Sequence, residues 1–155
     1  MQCERPDMEE MLRMIREIYD ALPFNKLLGL KVDRVEAETA GFRFSMRADL
    51  IGNFVQEILH GGVISAVLDA TGGMTATASA VCRMEGLTLD EIAARVSRIG
   101  TIDMRVDYLR PGRGTEFFSS GTVLRTGRKL AVTRMELKNQ DEMLVAAGTA
   151  AYLVG

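Results

Sequence analysis

The sequence has little of what metal sites, disulfide scaffolds and membrane spans require. It contains one histidine, two cysteines and no tryptophan among 155 residues. One histidine with the distant Cys3 and Cys82 does not make a usual zinc site, so no metal is expected. The unlike settings of the two cysteines argue against a structural disulfide and favour a reducing, cytoplasmic location. No uninterrupted apolar run reaches the roughly 18 residues of a membrane span, and the N-terminus does not resemble a signal peptide.

Charge and length narrow the class of protein further. The net charge of −2 at pH 7 gives no overall attraction to nucleic acid or to an anionic membrane, so neither is an expected partner. The length fits a single domain over residues 1–155 that can bury a core of its own. The composition therefore predicts an ordinary soluble globular protein.

Residues 59–73, with the sequence LHGGVISAVLDATGG, concentrate the chemistry of the chain. A helix is predicted from near Gly61 to Cys82, because the residues are apolar or small throughout, and such a helix is expected to be buried. Asp69 lies in its middle, where a carboxylate must be paired or hydrogen-bonded. Asp69 is therefore the first catalytic candidate; the alternative is a structural acid held by threonine or backbone groups.

The segments before this helix predict one helix and two strands. A capping box at Asp7 and Glu10, followed by apolar residues at helical spacing, predicts an amphipathic N-terminal helix over 7–22 that Pro23 stops. A connector is expected over 24–29, then strands over 30–37 and 42–48 with a turn at Ala40-Gly41. Residues 52–59 are predicted to be a loop that leads to His60.

The segments after the central helix predict an insertion and four strands. Residues 83–98 form the insertion, with a short helix that starts at the capping box of Thr88 and Glu91. Alternating patterns then predict a four-strand antiparallel meander with strands over 101–109, 114–124, 129–138 and 143–154. In the first of these strands, strict alternation groups Ile102 with Met104 on one face.

This order of elements indicates an α+β fold rather than a parallel doubly wound sheet. A sheet can curl closely around a helix only if that helix is thin, and residues 61–82 are rich in small side chains. The sequence therefore predicts an antiparallel sheet wrapped around a long central helix.

Several segments together resemble the hotdog-fold acyl-CoA thioesterases of the PaaI type, and particularly the longer bacterial subgroup that acts on medium- and long-chain acyl-CoA. These segments are FNKLLGL at 24–30, GN at 52–53, LHGG at 59–62 with Asp69, TID at 101–103, YLRPG at 108–112 and GRK at 127–129. The resemblance implies a hotdog fold with an extra N-terminal helix. It also implies hydrolysis of acyl-CoA to a free acid and CoA with no cofactor, CoA being part of the substrate.

Thioester hydrolysis needs hydrogen-bond donors for the developing oxyanion and a base or nucleophile at the carbonyl carbon. The N–H groups at a helix N-terminus can supply the donors. The resemblance implies that the Gly61 amide binds the thioester oxygen and that Asp69 activates water or attacks the carbonyl directly. His60 is expected to position the thioester or the helix entry, and the alternative is a loop hydrogen-bonder or cap. Gly62 leaves room for the substrate.

Three further site residues follow from the resemblance. Similar enzymes use an amide side chain six residues before the histidine, but that position here is Phe54. Asn53 is therefore the candidate for this role, with Gln56 as the fallback. Thr101 matches a Ser or Thr that contacts the attacking water or the acid, and the alternative is an ordinary strand threonine.

Basic residues at strand ends and at one turn are candidates for the phosphates of CoA, because arginine suits phosphate oxygens. They are Arg110, Arg113, Arg125, Arg128 and Lys129, and the alternative for each is a solvated basic rim. Methionine suits variable acyl chains, although core filling is the default interpretation. The candidates for lining an acyl slot are Met46, Met74 and Met104.

The spacing of Gly61 and Asp69 predicts the assembly. The two residues are eight positions apart, which is roughly 12 Å along one helix at 1.5 Å per residue. This is too far for both to act on one carbonyl. They meet only if the central helices of two copies run antiparallel across a twofold axis. An active enzyme is therefore predicted to be a homodimer with two shared sites, or a dimer of such dimers.

Two other functions are compatible with the pattern. A non-catalytic acyl-CoA or acyl-carrier binding protein with a regulatory role would keep the wrapped helix but would not need Asp69. A thioesterase for aromatic, phenylacetyl-type acyl-CoA would share the whole site, and the fold alone does not settle the substrate. The single histidine disfavours hydratases and dehydratases of this fold, which pair a histidine with an acid in another motif.

Overall fold

The computed structural model describes residues 7–155, so the prediction for Cys3 lies outside the described residues. The helices are α1 (Met8–Ala21), α2 (Pro23–Leu28), α3 (Gly61–Cys82) and α4 (Leu89–Val96). The strands are β1 (Lys31–Val35), β2 (Thr39–Ser45), β3 (Ile51–Asn53), β4 (Ile58–Leu59), β5 (Gly100–Tyr108), β6 (Glu116–Thr126), β7 (Leu130–Asn139) and β8 (Leu144–Leu153). No helix within residues 7–155 combines the length and apolar character needed to cross a membrane.

Six of the strands form one antiparallel sheet in the order β1-β2-β6-β7-β8-β5, and β3 pairs with β4 in a separate hairpin. The helix α3 packs against the inner face of the large sheet and contacts β2, β6, β7, β8 and β5. The predicted α+β fold, with an antiparallel sheet around a long central helix and an extra N-terminal helix, is confirmed.

The prediction of a four-strand meander is wrong in its first strand. Strands β6, β7 and β8 follow one another as a meander, but β5 pairs with β8 rather than with β6. The connection from Tyr108 to Glu116 contains Pro111 and Gly112 and is longer than a tight hairpin turn, so the chain can cross to the other side of the meander. As a result, β5 is an edge strand of the sheet.

Two local predictions before α3 are also wrong. Pro23 does not only stop α1: it is the first residue of α2, a position that suits the fixed φ and missing N–H of proline. The connector predicted over 24–29 is therefore mostly helical. The loop predicted over 52–59 contains the β3–β4 hairpin.

The turn predicted at Ala40-Gly41 lies inside β2 instead. A Cβ atom on Gly41 would be 2.3 Å from the backbone oxygen of Ser119 on β6. Glycine occurs here because the two strands approach each other closely, and not because the chain turns.

The second half of α3 is the centre of the core. Residues 74–81 are all buried, and three threonines of α3 donate their hydroxyl groups to the carbonyl four residues earlier: Thr71, Thr75 and Thr77. This local bonding satisfies polar groups inside an apolar environment.

The prediction that α3 is buried on all sides is wrong for its first half. One face remains half-buried in the single chain, and its side chains are small apart from one carboxylate: Ser65, Ala66, Asp69, Ala70 and Gly73. This partly open face of the central helix carries the principal catalytic candidate.

The close approach at Gly41 predicts a measurable cost for a larger residue. We expect Gly41→Ala to lower the free energy of unfolding by about 1–3 kcal/mol, because the added methyl group meets backbone that cannot move without shifting β6. Gly127→Ala is the matched control, since its Cβ would have only an ordinary contact at 3.5 Å. Urea unfolding of both variants measures the difference, and equal stability of the two would contradict this explanation.

Candidate active site

The N-terminus of α3 leaves one backbone donor free. His60 is the N-cap residue, and its Nδ1 accepts the N–H of Gly62 at 2.8 Å. The carbonyl oxygen of His60 accepts the N–H groups of Val63 and Ile64 at 2.9 and 3.1 Å. Of the first four N–H groups of α3, only that of Gly61 has no acceptor among residues 7–155.

This arrangement gives Gly61 and His60 different functions. The free N–H of Gly61 points out of the positive end of the helix dipole, where an oxygen that gains negative charge is stabilised. The His60 ring acts as a helix cap, which is one of the two interpretations that its sequence context allowed. With Nδ1 accepting, the neutral ring carries its proton on Nε2. Direct contact of His60 with a thioester stays a prediction.

Tyr108, at the end of β5, lies beside Gly61. Its hydroxyl group donates to the Gly61 carbonyl oxygen at 3.1 Å. A Cβ atom on Gly61 would be 3.4 Å from Cε1 of the Tyr108 ring. Tyr108 is therefore a wall of the site around the free N–H. The YLRPG segment contains it, but sequence reasoning assigned it no function.

Two hydroxyl groups hold the Asp69 carboxylate. Its Oδ1 accepts from Thr101 Oγ1 at 2.7 Å and from the Tyr152 hydroxyl at 3.3 Å, and the same hydroxyl lies 3.1 Å from the backbone oxygen of Asp69. No group among the described residues donates to Oδ2. One carboxylate oxygen is thus fixed, while the other can face a reacting atom.

Tyr152 was missed by sequence reasoning, although it is the largest fully buried side chain near the site. Burial raises the pKa of its phenol strongly, and the negative charge of Asp69 raises it further, so the hydroxyl stays a proton donor at neutral pH. A Cβ atom on Gly72 would be 2.3 Å from this hydroxyl, so glycine makes room for it. The available signal was a polar-tipped aromatic residue in a strand of small side chains.

A β-bulge in β5 aims Thr101 at Asp69. Thr101 pairs with Tyr152, but Asp103 pairs with Ala151, so one extra residue is present between them. The bulge places both Thr101 and Met104 toward α3, although regular alternation would separate them. The prediction that Ile102 shares a face with Met104 is wrong, since the Ile102 side chain is 56% exposed.

The two amide candidates lie in the β3–β4 hairpin, and both are exposed. Asn53 Oδ1 accepts the N–H groups of Val55 and Gln56, both at 3.1 Å, and so caps the turn. Arg113 donates to the backbone oxygen of Gln56 at 2.9 Å and to its Oε1 at 3.0 Å. The side-chain oxygens of Asn53 and Gln56 therefore both accept hydrogen bonds from other groups of the protein.

The basic candidates lie in two separate parts of the molecule. Arg110 donates to the Leu144 carbonyl oxygen at 3.0 Å, while Arg113 contacts the β3–β4 hairpin. Arg128 and Lys129 line a depression at the other end of the molecule, beside the C-terminus of α3. Other basic residues line the same depression: Arg83, Arg95 and Arg98.

The single chain therefore carries two separate parts of a site. One part is the Gly61 N–H with the Tyr108 ring, and the other is Asp69 with Thr101 and Tyr152. The first can bind an oxyanion, and the second can act as a base or nucleophile. The helix between them keeps them roughly 12 Å apart.

Comparison with known proteins identifies thioesterases as relatives of this chain. The model of the thioesterase superfamily matches residues 56–146. The curated medium/long-chain acyl-CoA thioesterase YigI of Salmonella typhimurium is 45% identical over 148 residues, which are 95% of this chain and 96% of that protein.

Solved structures agree with this assignment. The crystal structure of a Shewanella oneidensis protein related to the thioesterase superfamily superposes with a TM-score of 0.93 at 44% identity and covers 98% of this chain and 100% of that one. The Escherichia coli PaaI protein from the phenylacetic acid degradation operon has the same fold, with a TM-score of 0.74 at 18% identity over 96% of this chain and 94% of that one. The chain therefore belongs to the thioesterase superfamily, as the hotdog-fold thioester hydrolase that its several sequence segments together predicted.

Proposed function

We propose that this protein hydrolyses medium- or long-chain fatty acyl-CoA to the free acid and CoA, in the cytoplasm. The observation that carries the proposal is the Asp69 carboxylate, which Thr101 and Tyr152 hold at one oxygen on the half-buried face of α3. A protein that only bound acyl groups would not need an acid oriented in this way. The name of the 45% identical YigI relative supports the substrate class.

In the proposed mechanism, the thioester carbonyl oxygen accepts a hydrogen bond from the free Gly61 N–H. Negative charge that develops on this oxygen is stabilised by that donor and by the helix dipole. Asp69 then either takes a proton from the attacking water or attacks the carbonyl carbon itself, giving an anhydride that water hydrolyses. In both routes water supplies the new oxygen of the acid, and the departing thiolate of CoA receives a proton. No metal or other cofactor takes part.

The reaction requires a second copy of the chain. Because Gly61 and Asp69 are roughly 12 Å apart on one rigid helix, one copy cannot place both at the same carbonyl. In the proposed homodimer, two α3 helices run antiparallel, and Asp69 of one copy faces Gly61 of the other. The small side chains on the half-buried face of α3 support this, since they allow two helices to approach closely.

Exposed groups elsewhere support the same dimer. The edge strand β5 has one side without a strand partner among the described residues, and Ile102 on it is exposed. In the β3–β4 hairpin, which directly precedes Gly61, Phe54 and Val55 are 85% and 82% exposed. Apolar side chains that exposed are usual at contacts between subunits. Two such dimers form the tetramer that we also propose.

The remaining site residues are proposed to bind substrate. Asn53 keeps its amide N–H groups for a water or a carbonyl oxygen, and Gln56 is the fallback. The phosphates of CoA are proposed to bind at the basic residues, which are Arg110, Arg113, Arg128 and Lys129. Five basic residues line the depression beside Arg128, which favours the binding of phosphate there.

Removing the charge of Asp69 tests the proposed chemistry. We expect Asp69→Asn to lower kcat for dodecanoyl-CoA by at least roughly 100- to 1000-fold, the loss typical of one essential polar group in such a site. Release of CoA thiol, followed with a thiol reagent, measures the rate. Asp33→Asn, an exposed acid on β1 at the opposite edge of the sheet, is the control and should keep wild-type turnover. Unchanged turnover in Asp69→Asn would reject the proposed role and favour a binding protein.

Removing the Gly61 N–H tests the oxyanion site. Proline has no N–H and suits the first position of a helix, and the extended backbone of His60 before it is compatible with proline. We therefore expect Gly61→Pro to retain its helix content by circular dichroism and to lose roughly 100- to 1000-fold in kcat. Gly61→Ala adds a side chain but keeps the N–H, so we expect a much smaller decrease in kcat for this variant. Equal losses in the two variants would show that the N–H is not the operative group.

A further inference from the structure

An apolar groove lies between α1 and α4, above the second half of α3. It encloses about 100 Å³ and opens at the surface, where Met14 and Ile18 of α1 are 39% and 48% exposed. The opposite side is formed by residues of α4 that include Ala93 and Val96. The groove is therefore a small slot between two helices, and one side of it is open at the surface.

The lining selects an apolar ligand. Two polar side chains reach the groove, Tyr19 and Thr77, and their hydroxyl groups bond to each other at 3.0 Å. Burial raises the pKa of the Tyr19 phenol, so this pair is uncharged. A ligand in the groove meets methyl and methylene groups and no unpaired charge.

A row of residues on α3 leads from Asp69 toward the groove. Asp69, Gly73 and Thr77 are successive i, i+4 positions of α3, so they form a row that turns gradually around the helix from the carboxylate to the groove. A Cβ atom on Gly73 would be 3.6 Å from Tyr152 Cε1 and 3.7 Å from the Tyr19 hydroxyl. Gly73, which has no side chain, thus lies between Tyr152, which holds Asp69, and Tyr19, which lines the groove.

We propose that this groove binds the distal part of the fatty acyl chain and sets the chain-length preference, an inference that rests on the proposed thioesterase function. From Asp69, the helix rises roughly 12 Å to Thr77 and roughly 18 Å to Val81. An extended chain advances about 1.2 Å per bond, as in a backbone whose three bonds span about 3.6 Å. Acyl chains shorter than about ten carbons therefore end before the groove, and chains of about 12 to 16 carbons fill it.

Two observations identify a fatty acyl chain as the ligand of the groove: its distance from Asp69 and its apolar lining. The groove begins at the distance that a medium-length chain reaches from the reacting carbonyl, and its lining matches a hydrocarbon. The methionines proposed from the sequence do not line it: Met74 is fully buried in the core, and the groove uses Met11 and Met14 instead. The helices α1 and α4 that form its walls are the elements predicted as an N-terminal addition and an insertion.

Filling the groove tests the proposal. Ala93→Trp places a large side chain in the slot from an exposed position, so the fold should tolerate it. Each buried methylene is worth about fourfold in binding, so excluding two or three of them lowers kcat/KM for hexadecanoyl-CoA by roughly 15- to 60-fold. Turnover of hexanoyl-CoA should stay within about twofold, because that chain ends before the groove. Ala94→Trp, at the next position of α4 and outside the groove, is the matched control and should change neither rate.

Other outcomes would overturn the proposal. An equal effect of Ala93→Trp on both chain lengths, or none on either, places the acyl chain elsewhere. If Ala93→Trp changes only the oligomeric state in sedimentation, the groove is a contact between copies of the chain. If the wild-type protein releases no thiol, the proposed function fails, and hexadecanoyl-CoA with a diazirine at its terminal carbon decides the groove separately. Photolabelling of peptides from α1 and α4 supports the groove, and labelling confined to other peptides overturns it.

Discussion

The rigid separation of Gly61 and Asp69 on α3 is the constraint on which the account of this protein depends. An α-helix cannot shorten the roughly 12 Å between a free N–H at its start and a carboxylate two turns later. A shared site between two antiparallel helices removes this difficulty and requires small side chains on the facing surface. The open face of α3 has this composition. One distance therefore relates the mechanism, the assembly and the composition of the central helix.

The core and the site are connected through Tyr152. Its ring is buried between α3 and the sheet, its hydroxyl group holds Asp69, and Gly72 provides the space for it. The bulge in β5 brings Thr101 to the same carboxylate oxygen. The position of the catalytic candidate is thus set by close packing of the sheet on the helix, which is why a thin helix matters for chemistry as well as for folding.

Much of this could be predicted from the sequence, because the informative patterns are local. The extent of α3, the cap at His60 and the isolation of Asp69 all follow from neighbouring residues. The pairing of β5 with β8 could not be predicted, because alternation indicates a strand but not its partner. The bulge at Ile102 and the contact of Tyr152 depend on register between distant strands. For the same reason, Gly41 resembled a turn residue, although its true neighbour is Ser119 on β6.

Subunit mixing tests the shared site most directly. Asp69→Asn and Gly61→Pro would each be nearly inactive alone, since each homodimer has the same defect in both sites. A mixed dimer, however, combines the intact Asp69 of one copy with the intact Gly61 of the other in one site. After random exchange of equal amounts, half of the dimers are mixed, so thioesterase activity should return to about a quarter of the wild-type level. If native mass spectrometry shows mixed dimers and no activity returns, the two residues do not share a site across the twofold axis.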